Sequence, residues 1–435
     1  MVTYLTGNKI EEEPNLLFDK ADSSAVHQQV YWGLRRFGPY DKSISRIRLA
    51  VISPEAKIAQ IRSLIDDLNN GTPILPGGLP QFFRCSIDMV DEIILKSIET
   101  SEYEKVGINF VETHDPKNLD VVLAFVPKTS RFFSNTPYYR LKAILASHGF
   151  SSQMITDWTF ENLKWSYLNL ASAIFSKAGG IPWVLESEMK NTDMILGISI
   201  SNFVSYRHRA GTRPRYVGYV NVFDNHGGWM FIEGTATLYE KGQRIEQLKE
   251  LIKKAVKRFE AKKNFLPRNI VLHYYKRFGR QEIEATINIL NELVGECSIA
   301  FVSIDDTHPM RLYDLKVDDG SFPRGYYVYL NQNEILLSTT GFTTLAARRM
   351  GTPKLLHINV KQYPNEFISL DDIALQVFSL TKLDWATVTP LIREPVTLQF
   401  SREVSYLTAA ISEQEWQLIV RPEVNVIINT KPWFI

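Results

Sequence analysis

The feature that most restricts this chain is a change in the order of its elements near the middle. Up to about Gly180, short apolar runs alternate with helical spacing. Residues 48–52 and 120–126 read as buried strands, and residues 54–68 carry an amphipathic helical period. Thr136-Pro137 opens a helix closed by Gly149, with proline at its first position. Residues 153–155 form a short strand, and Thr159 is read as the cap of a helix that runs to Lys177 and stops at Gly179-Gly180. Strands separated by helices of this length predict a parallel sheet. The second half starts differently. Residues 194–200, 216–223 and 229–238 are three strand-like runs, the last two joined by Asn225-His226-Gly227-Gly228, which predicts an antiparallel meander. A helix over roughly 241–262 follows, then a strand at 269–275, a helix at 280–293, a strand at 298–304 and a late helix at 395–410.

Three antiparallel strands, then helix, strand, helix, strand, is the order of an RNase H-like fold. The expected fold class is therefore α/β, a Rossmann-like domain packed on an RNase H-like one. With 435 residues, 45% hydrophobic and 22% charged, the chain has material for two or three cores. Disorder, collagen-like repeats and coiled coil do not fit that composition. No repeat or obvious linker separates the halves, which predicts direct packing. The expected boundaries are residues 1–45, a linker or partner contact, residues 46–186, the first domain, and residues 187–435, the second. Cys85 and Cys297 are too few for a disulfide framework or a thiolate zinc site. The first residues have neither the basic nor the apolar region of a signal peptide. The longest apolar runs, such as 121–126, are strand-length, so a soluble cytoplasmic protein with no membrane partner is expected.

Lys and Arg total 49 against 48 Asp and Glu, a net charge of +1, so any polyanion site must be a local cluster. Two such clusters exist. No acid lies between Asp120 and Asp157, where Lys128, Arg131, Arg140 and Lys142 fall. None lies between Asp193 and Asp224, where Arg207, His208, Arg209, Arg213 and Arg215 fall, near Tyr206. Basic residues interleaved with aromatics suit phosphate-backbone contact; a solvated basic loop is the alternative. Tyr138 and Lys142 are four apart, so they share one face in the first turns of the helix that Pro137 starts. Unpaired N–H groups and the positive dipole end favour an anion there. The same spacing fits an amphipathic helix with a surface lysine, and the residues alone leave both open. Phosphate-binding loops, dinucleotide fingerprints and nucleophile elbows are missing. No two of the eight His stand three to five apart as in a zinc site. Asp305-Asp306 at a strand end is either a metal-binding pair or a solvated corner.

Taken together, residues 135–142, Ser152-Gln153 and residues 176–183 resemble the MID domain of short prokaryotic Argonautes. The run Asp193-Met194-Ile195-Leu196-Gly197-Ile198 resembles the opening strand of a PIWI domain. Thr307-His308-Pro309, Gly351-Thr352-Pro353 and the terminal residues 429–435 are similar to later PIWI landmarks. The match runs from about Trp32 to Ile435, in order and at fitting spacing, and the length suits MID plus PIWI without the N and PAZ domains.

That resemblance implies a pocket for a guide 5′-phosphate at Tyr138, Lys142, Gln153 and Lys177. It further implies a divalent cation, Mg²⁺ or Mn²⁺, between that phosphate and the terminal carboxylate of Ile435; Ala173 stands where a further polar ligand can occur. Slicing relatives place carboxylates where this chain has Ser199, Tyr275 and Arg402. A hydroxyl, a phenol and a guanidinium cannot hold two Mg²⁺ ions, so a PIWI domain without nuclease activity is expected. Arg207, Arg209, Arg213, Arg215, Arg348 and Arg349 are the expected backbone contacts. The resemblance implies as partners a small guide RNA, or DNA, a complementary single-stranded DNA target, and an APAZ-containing effector subunit of the TIR, SIR2 or nuclease type. The implied function is a guide-dependent sensor in prokaryotic defence, with specificity delegated to base pairing. Two rivals are a stand-alone homodimeric guide-binding protein and an RNase H-like nuclease using Asp305 and Asp306.

Overall fold

The computed structural model describes residues 5–129, 135–203, 215–316, 318–321, 323–341, 353–388, 392–408, 410–421, 426 and 428–435. The first elements are three short strands, β1 (Gly7–Lys9), β2 (Leu16–Leu17) and β3 (Val26–His27), and the helix α1 (Val30–Phe37). A parallel unit follows: β4 (Arg46–Pro54), α2 (Glu55–Asn70), α3 (Gly78–Phe82), β5 (Ser86–Leu95), α4 (Thr100–Thr113), β6 (Val121–Phe125), α5 (Pro137–Ser147), β7 (Ser152–Ile155), α6 (Asp157–Glu161) and α7 (Leu163–Lys177). Its four strands run parallel in the order β5-β4-β6-β7. Each residue of β6 is buried, as a strand covered by helices on both faces requires.

Beyond the short strand β8 (Val184–Leu185), which pairs with β2, the second unit begins with the meander β9 (Met194–Phe203), β10 (Arg215–Asp224) and β11 (Trp229–Gly234). It continues through α8 (Arg244–Lys263), β12 (Asn269–Tyr274), α9 (Arg280–Val294) and β13 (Ser298–Asp305), then β14 (Tyr326–Asn331), β15 (Glu334–Leu337) and β16 (Leu356–Tyr363). The helices α10 (Leu370–Leu380), α11 (Val396–Thr408) and α12 (Glu413–Val420) complete it. Among the described residues the sheet has nine strands in the order β1-β14-β15-β16-β13-β12-β9-β10-β11. Strand β12 runs parallel to both β9 and β13, so the expected order of meander, helix, strand, helix, strand is present.

One helix boundary corrects the sequence reading. Thr159 does not cap a helix that runs unbroken to Lys177. It lies in α6, where its hydroxyl accepts from the Thr156 backbone N–H at 3.1 Å. Asn162 then leaves helical geometry (φ −123°, ψ 31°), its side-chain amide donating to the Trp158 carbonyl at 2.9 Å, and α7 starts afresh. At the start of α5 the reading stands: the Thr136 hydroxyl accepts from Tyr139 N–H, with Pro137 at the first position.

The two units share one apolar core, in which Phe83 and Phe175 of the first and Trp385, Phe400 and Trp433 of the second are all buried. Each such side chain removed from water contributes about 1.5–3 kcal/mol. Polar ties reinforce it. Trp183 donates to the Lys382 carbonyl at 2.9 Å while Trp385 donates to the Trp183 carbonyl at 3.2 Å. Arg140 of α5 reaches the Ala410 carbonyl at 2.9 Å and pairs with Glu104 and Glu415. Residues 5–45 join the same body: β1 pairs antiparallel with β14, and Leu16, Phe18 and Leu34 are fully buried. Lys382 donates to the carbonyls of Pro14 and Gln28, both at 2.8 Å.

Candidate nucleic-acid interface

Where the two units meet, a cavity of about 150 Å³ is lined by Tyr138, Lys142, Gln153, Lys177, Asp384 and Glu403, with Ile435 at its edge. Helix α5 supplies the first two from adjacent turns. Strand β7 supplies Gln153, and Lys177 is the last residue of α7, just before Gly179 turns the chain with φ +104°. The structure thus brings together all four predicted phosphate ligands and the chain terminus. Lys142 is 3% and Lys177 1% exposed, so neither ammonium is a surface lysine. Lys142 Nζ donates to the Phe434 carbonyl at 3.0 Å, to a terminal oxygen of Ile435 at 3.4 Å and to Tyr138 Oη at 3.4 Å. Lys177 Nζ donates to Gln153 Oε1 at 2.6 Å. Complete burial pushes Lys177 well below the usual lysine value, and the Lys142 charge pushes it the same way. An anion in the cavity would offset both effects by favouring the charged form.

The second unit completes the cavity. Asp384 lies in the loop after α10, held to the first unit by Val388 N–H donating to Asn169 Oδ1 at 2.9 Å. Its carboxylate accepts from Ala386 N–H at 2.9 Å, and burial pushes its pKa up to about 6. Glu403 comes from α11. Sequence reasoning missed both acids, because only the tertiary fold brings them within reach. A second pocket of about 180 Å³ shares Tyr138, Lys142 and Glu403 with the first and adds Lys128, Thr156 and Tyr406. For a cation, the carboxylates of Ile435 and Asp384 and the amide of Gln153 are hard oxygen donors of suitable kind. Ala173 is buried in α7 and offers no ligand.

On the sheet face of the second unit, a cleft of about 1140 Å³ is lined by Ser199, Tyr275 and Arg402, together with Asp305, Asp306 and Glu394. The three positions singled out from sequence therefore converge. Helix α11 reaches the sheet because Gly197 has no side chain: a Cβ there would lie 2.3 Å from the Thr397 carbonyl oxygen. Arg402 pairs with Glu394 and, at 3.7 Å, with Asp306, which also pairs with Arg393. Asp305 accepts from Thr307 N–H at 2.8 Å and from its hydroxyl at 2.6 Å. Among the described residues no group of three or more His, Cys, Asp or Glu is placed to hold a metal ion. Arg207, Arg209, Arg213, Arg348 and Arg349 lie outside the described residues. Arg215 opens β10 opposite Phe203, and its side chain lies outside them too.

A parallel α/β unit joined through a buried basic pocket to an RNase H-like sheet defines a class, and the family comparison agrees. The Piwi domain model matches residues 125–412, and the chain belongs to that family. It is 20% identical to an Argonaute of Cereibacter sphaeroides over 96% of this chain and 58% of that one. It is 23% identical to a Piwi protein of Archaeoglobus fulgidus over 93% of each. Among solved structures it resembles Clostridium butyricum Argonaute bound to a guide DNA and a 19-mer target DNA, with a TM-score of 0.74 and 18% identity over 94% of this chain and 54% of that one. It also resembles Drosophila Piwi, with a TM-score of 0.70 and 17% identity over 99% of this chain and 56% of that one. The chain thus spans little more than half the length of several relatives, and the structural likenesses establish the fold. Among the described residues no helix is long and apolar enough to cross a membrane.

Proposed function

We propose that this chain is a guide-loaded nucleic-acid sensor of the short Argonaute type, acting in the cytoplasm. Its pocket anchors the 5′-phosphate of a small guide, RNA in our reading, and the groove between the two units presents the guide for pairing with an invading single-stranded DNA. One observation carries the reading: Tyr138 and Lys142 of α5, Gln153 of β7 and Lys177 of α7 converge on one cavity, which Ile435 also lines. Phosphate oxygens would accept charge-assisted bonds from Lys142 and Lys177, beside the oxygens these side chains already meet. A Mg²⁺ or Mn²⁺ ion held by Ile435 and Asp384 belongs to the same proposal, where it would offset the repulsion between these carboxylates and the phosphate.

We further propose that the chain does not cut its target. The pairing of Asp306 and Glu394 with Arg402 and Arg393 supports this, because guanidiniums occupy the carboxylates that a two-metal site would need. The response is then proposed to come from an APAZ-containing effector subunit, in defence against plasmids or phage. The test is to purify the chain with its genomic neighbours and sequence the nucleic acid it retains, beside a Lys142→Ala, Lys177→Ala variant. Short 5′-phosphorylated guides that vanish in the variant, with a second subunit co-eluting, are expected. Guides without a partner would favour the stand-alone homodimer, metal-dependent cleavage of a matched target would favour the nuclease, and no nucleic acid at all would overturn the reading.

A further inference from the structure

We infer that residues 5–45 form a strap coupled to the proposed guide pocket, with Lys382 as the positioning residue that ties the strap to the pocket's loop, so that strap and pocket ligand hold each other in place. The inference deepens the guide-binding reading and rests on it for the ligand, an RNA 5′-phosphate.

The link runs through one loop. Residues 381–388 follow α10, and Asp384, Ala386 and Thr387 line the pocket. Two residues before Asp384, Lys382 reaches into the strap instead. Its side chain is 5% exposed and donates to the carbonyls of Pro14 and Gln28, both at 2.8 Å. Its own carbonyl accepts from Trp183 Nε1 at 2.9 Å. Just before Trp183, the Pro182 carbonyl accepts from Tyr40 N–H at 2.8 Å and that of Ile181 from Asp41 N–H at 3.0 Å. The strap therefore grips both the loop that carries Asp384 and the stretch that follows Lys177, although none of its residues lines the pocket among the described residues.

The anchor is a single carboxylate between two buried cations. Glu13 Oε1 lies 3.1 Å from Arg324 Nε, and its Oε2 lies 3.5 Å from Lys382 Nζ. Burial disfavours the charge on Arg324, and Glu13 favours it. Among the described residues Glu13 is the one carboxylate within ion-pair distance of either cation. Yet Glu13 Oε2 and Arg324 Nη1 are buried without a hydrogen-bond partner. A buried ion pair of this kind adds little while intact, but removing one partner is costly. Glu13 is thus the point at which the strap is released.

Ahead of the buried Leu16 the strap is lightly held. Strand β1 pairs with β14 over three residues, and Glu11 and Glu12 are exposed. Segments with few buried contacts open first. A ligand packed on residues 384–387 steadies the loop that Lys382 shares with the strap, and so favours the closed strap.

The test is hydrogen–deuterium exchange on the full chain, alone and with single-stranded RNAs of one sequence carrying a 5′-phosphate or a 5′-hydroxyl. The 5′-phosphate RNA should slow exchange in residues 5–15 roughly 2- to 30-fold more than the 5′-hydroxyl RNA, the range of couplings carried through packed contacts. Glu13→Gln should speed exchange in residues 381–388 without RNA. It should also lower the preference for a 5′-phosphate, by no more than the same factor, because coupling is reciprocal. The wild-type comparison needs no substitution and so does not depend on how well the variant folds. A 5′-phosphate preference with residues 5–15 exchanging alike under both RNAs would overturn the coupling and leave the pocket standing. No preference at all would defeat the pocket reading. The tie from Glu13 to the Asp384 loop is then judged without RNA, and unchanged exchange at 381–388 in Glu13→Gln overturns it.

Discussion

Asp384 offers a test in which the burial of one carboxyl decides the sign. It is buried in the proposed guide pocket, and burial raises its pKa from the ordinary 3.8 to about 6. Native protein therefore holds this proton more tightly than the unfolded chain. The resulting stability is fully present below about pH 4, is lost as pH rises through 6, and leaves a penalty on the native state above that. A difference of roughly two units is worth about 3 kcal/mol, at 1.36 kcal/mol each. In Asp384→Asn the amide oxygen can still accept from Ala386 N–H, so the cap survives while the titration disappears. The variant should be more stable than wild type in urea unfolding at pH 7.5, by up to about 3 kcal/mol, and the gap should close as pH falls from 6 towards 4. Lys142 and Lys177 line the same cavity and pull the other way. If their attraction outweighs the cost of burial, the variant will be less stable at pH 7.5, and the reasoning is refuted. A gap that does not change with pH refutes it equally.

Three more expectations follow from the same geometry. Lys177→Met replaces a fully buried amine whose charged form burial disfavours, so thermal stability should rise, while affinity for a 5′-phosphorylated oligonucleotide should fall roughly 10- to 100-fold, the loss of one charge-assisted bond; titration beside a 5′-hydroxyl control, which should not change, checks it. His273 is fully buried between Thr397 and Gln376, and burial lowers its pKa from 6.5 to about 4. Its native state thus loses stability as pH falls from 6.5 towards 4, by about 3 kcal/mol, and His273→Gln should flatten that part of the urea-midpoint profile, against the opposite slope from Asp384. Gly197→Ala places a methyl 2.3 Å from the Thr397 carbonyl oxygen and should lower stability by about 1–3 kcal/mol; a calorimetric midpoint equal to wild type would show that α11 can lift without cost.

The elements that could be read from sequence are those whose burial follows a simple period. The all-apolar β6 and the capped, proline-started α5 are visible in their own residues, and the i, i+4 spacing of Tyr138 and Lys142 placed both on one face. Strands β14 and β15 were not visible. Tyr326–Asn331 shows no clean alternation, with Tyr327 buried among exposed and half-buried residues, and the partners of this part of the sheet, β1 beside β14 and α10 against β15, are distant in sequence. Gln153 and Lys177 were placed by family resemblance; neither carries a local signal. Asp384 and Glu403 could not have been placed at all. Their position depends on the reciprocal Trp183 and Trp385 bonds and on the Val388 to Asn169 contact, each joining residues about 200 apart.

Helix α11 ties the two sites together. Phe400 and Glu403 face the guide pocket, Ser401 and Arg402 face the cleft, and Tyr406 and Leu407 reach the neighbouring pocket beside Tyr138. One helix is thus the shared wall of every cavity described. Its height above the sheet is set at Gly197, where the missing side chain lets the Thr397 carbonyl approach β9, and at Ser401, whose hydroxyl donates to the Gly197 carbonyl at 3.3 Å. Cores are close-packed and do not deform smoothly. A shift of α11 would therefore move Glu403 and Arg402 together, one in the pocket beside Lys142 and the other in the cleft. Substitutions that lift this helix, Gly197→Ala among them, should weaken binding of a 5′-phosphorylated oligonucleotide although they touch none of the proposed phosphate ligands.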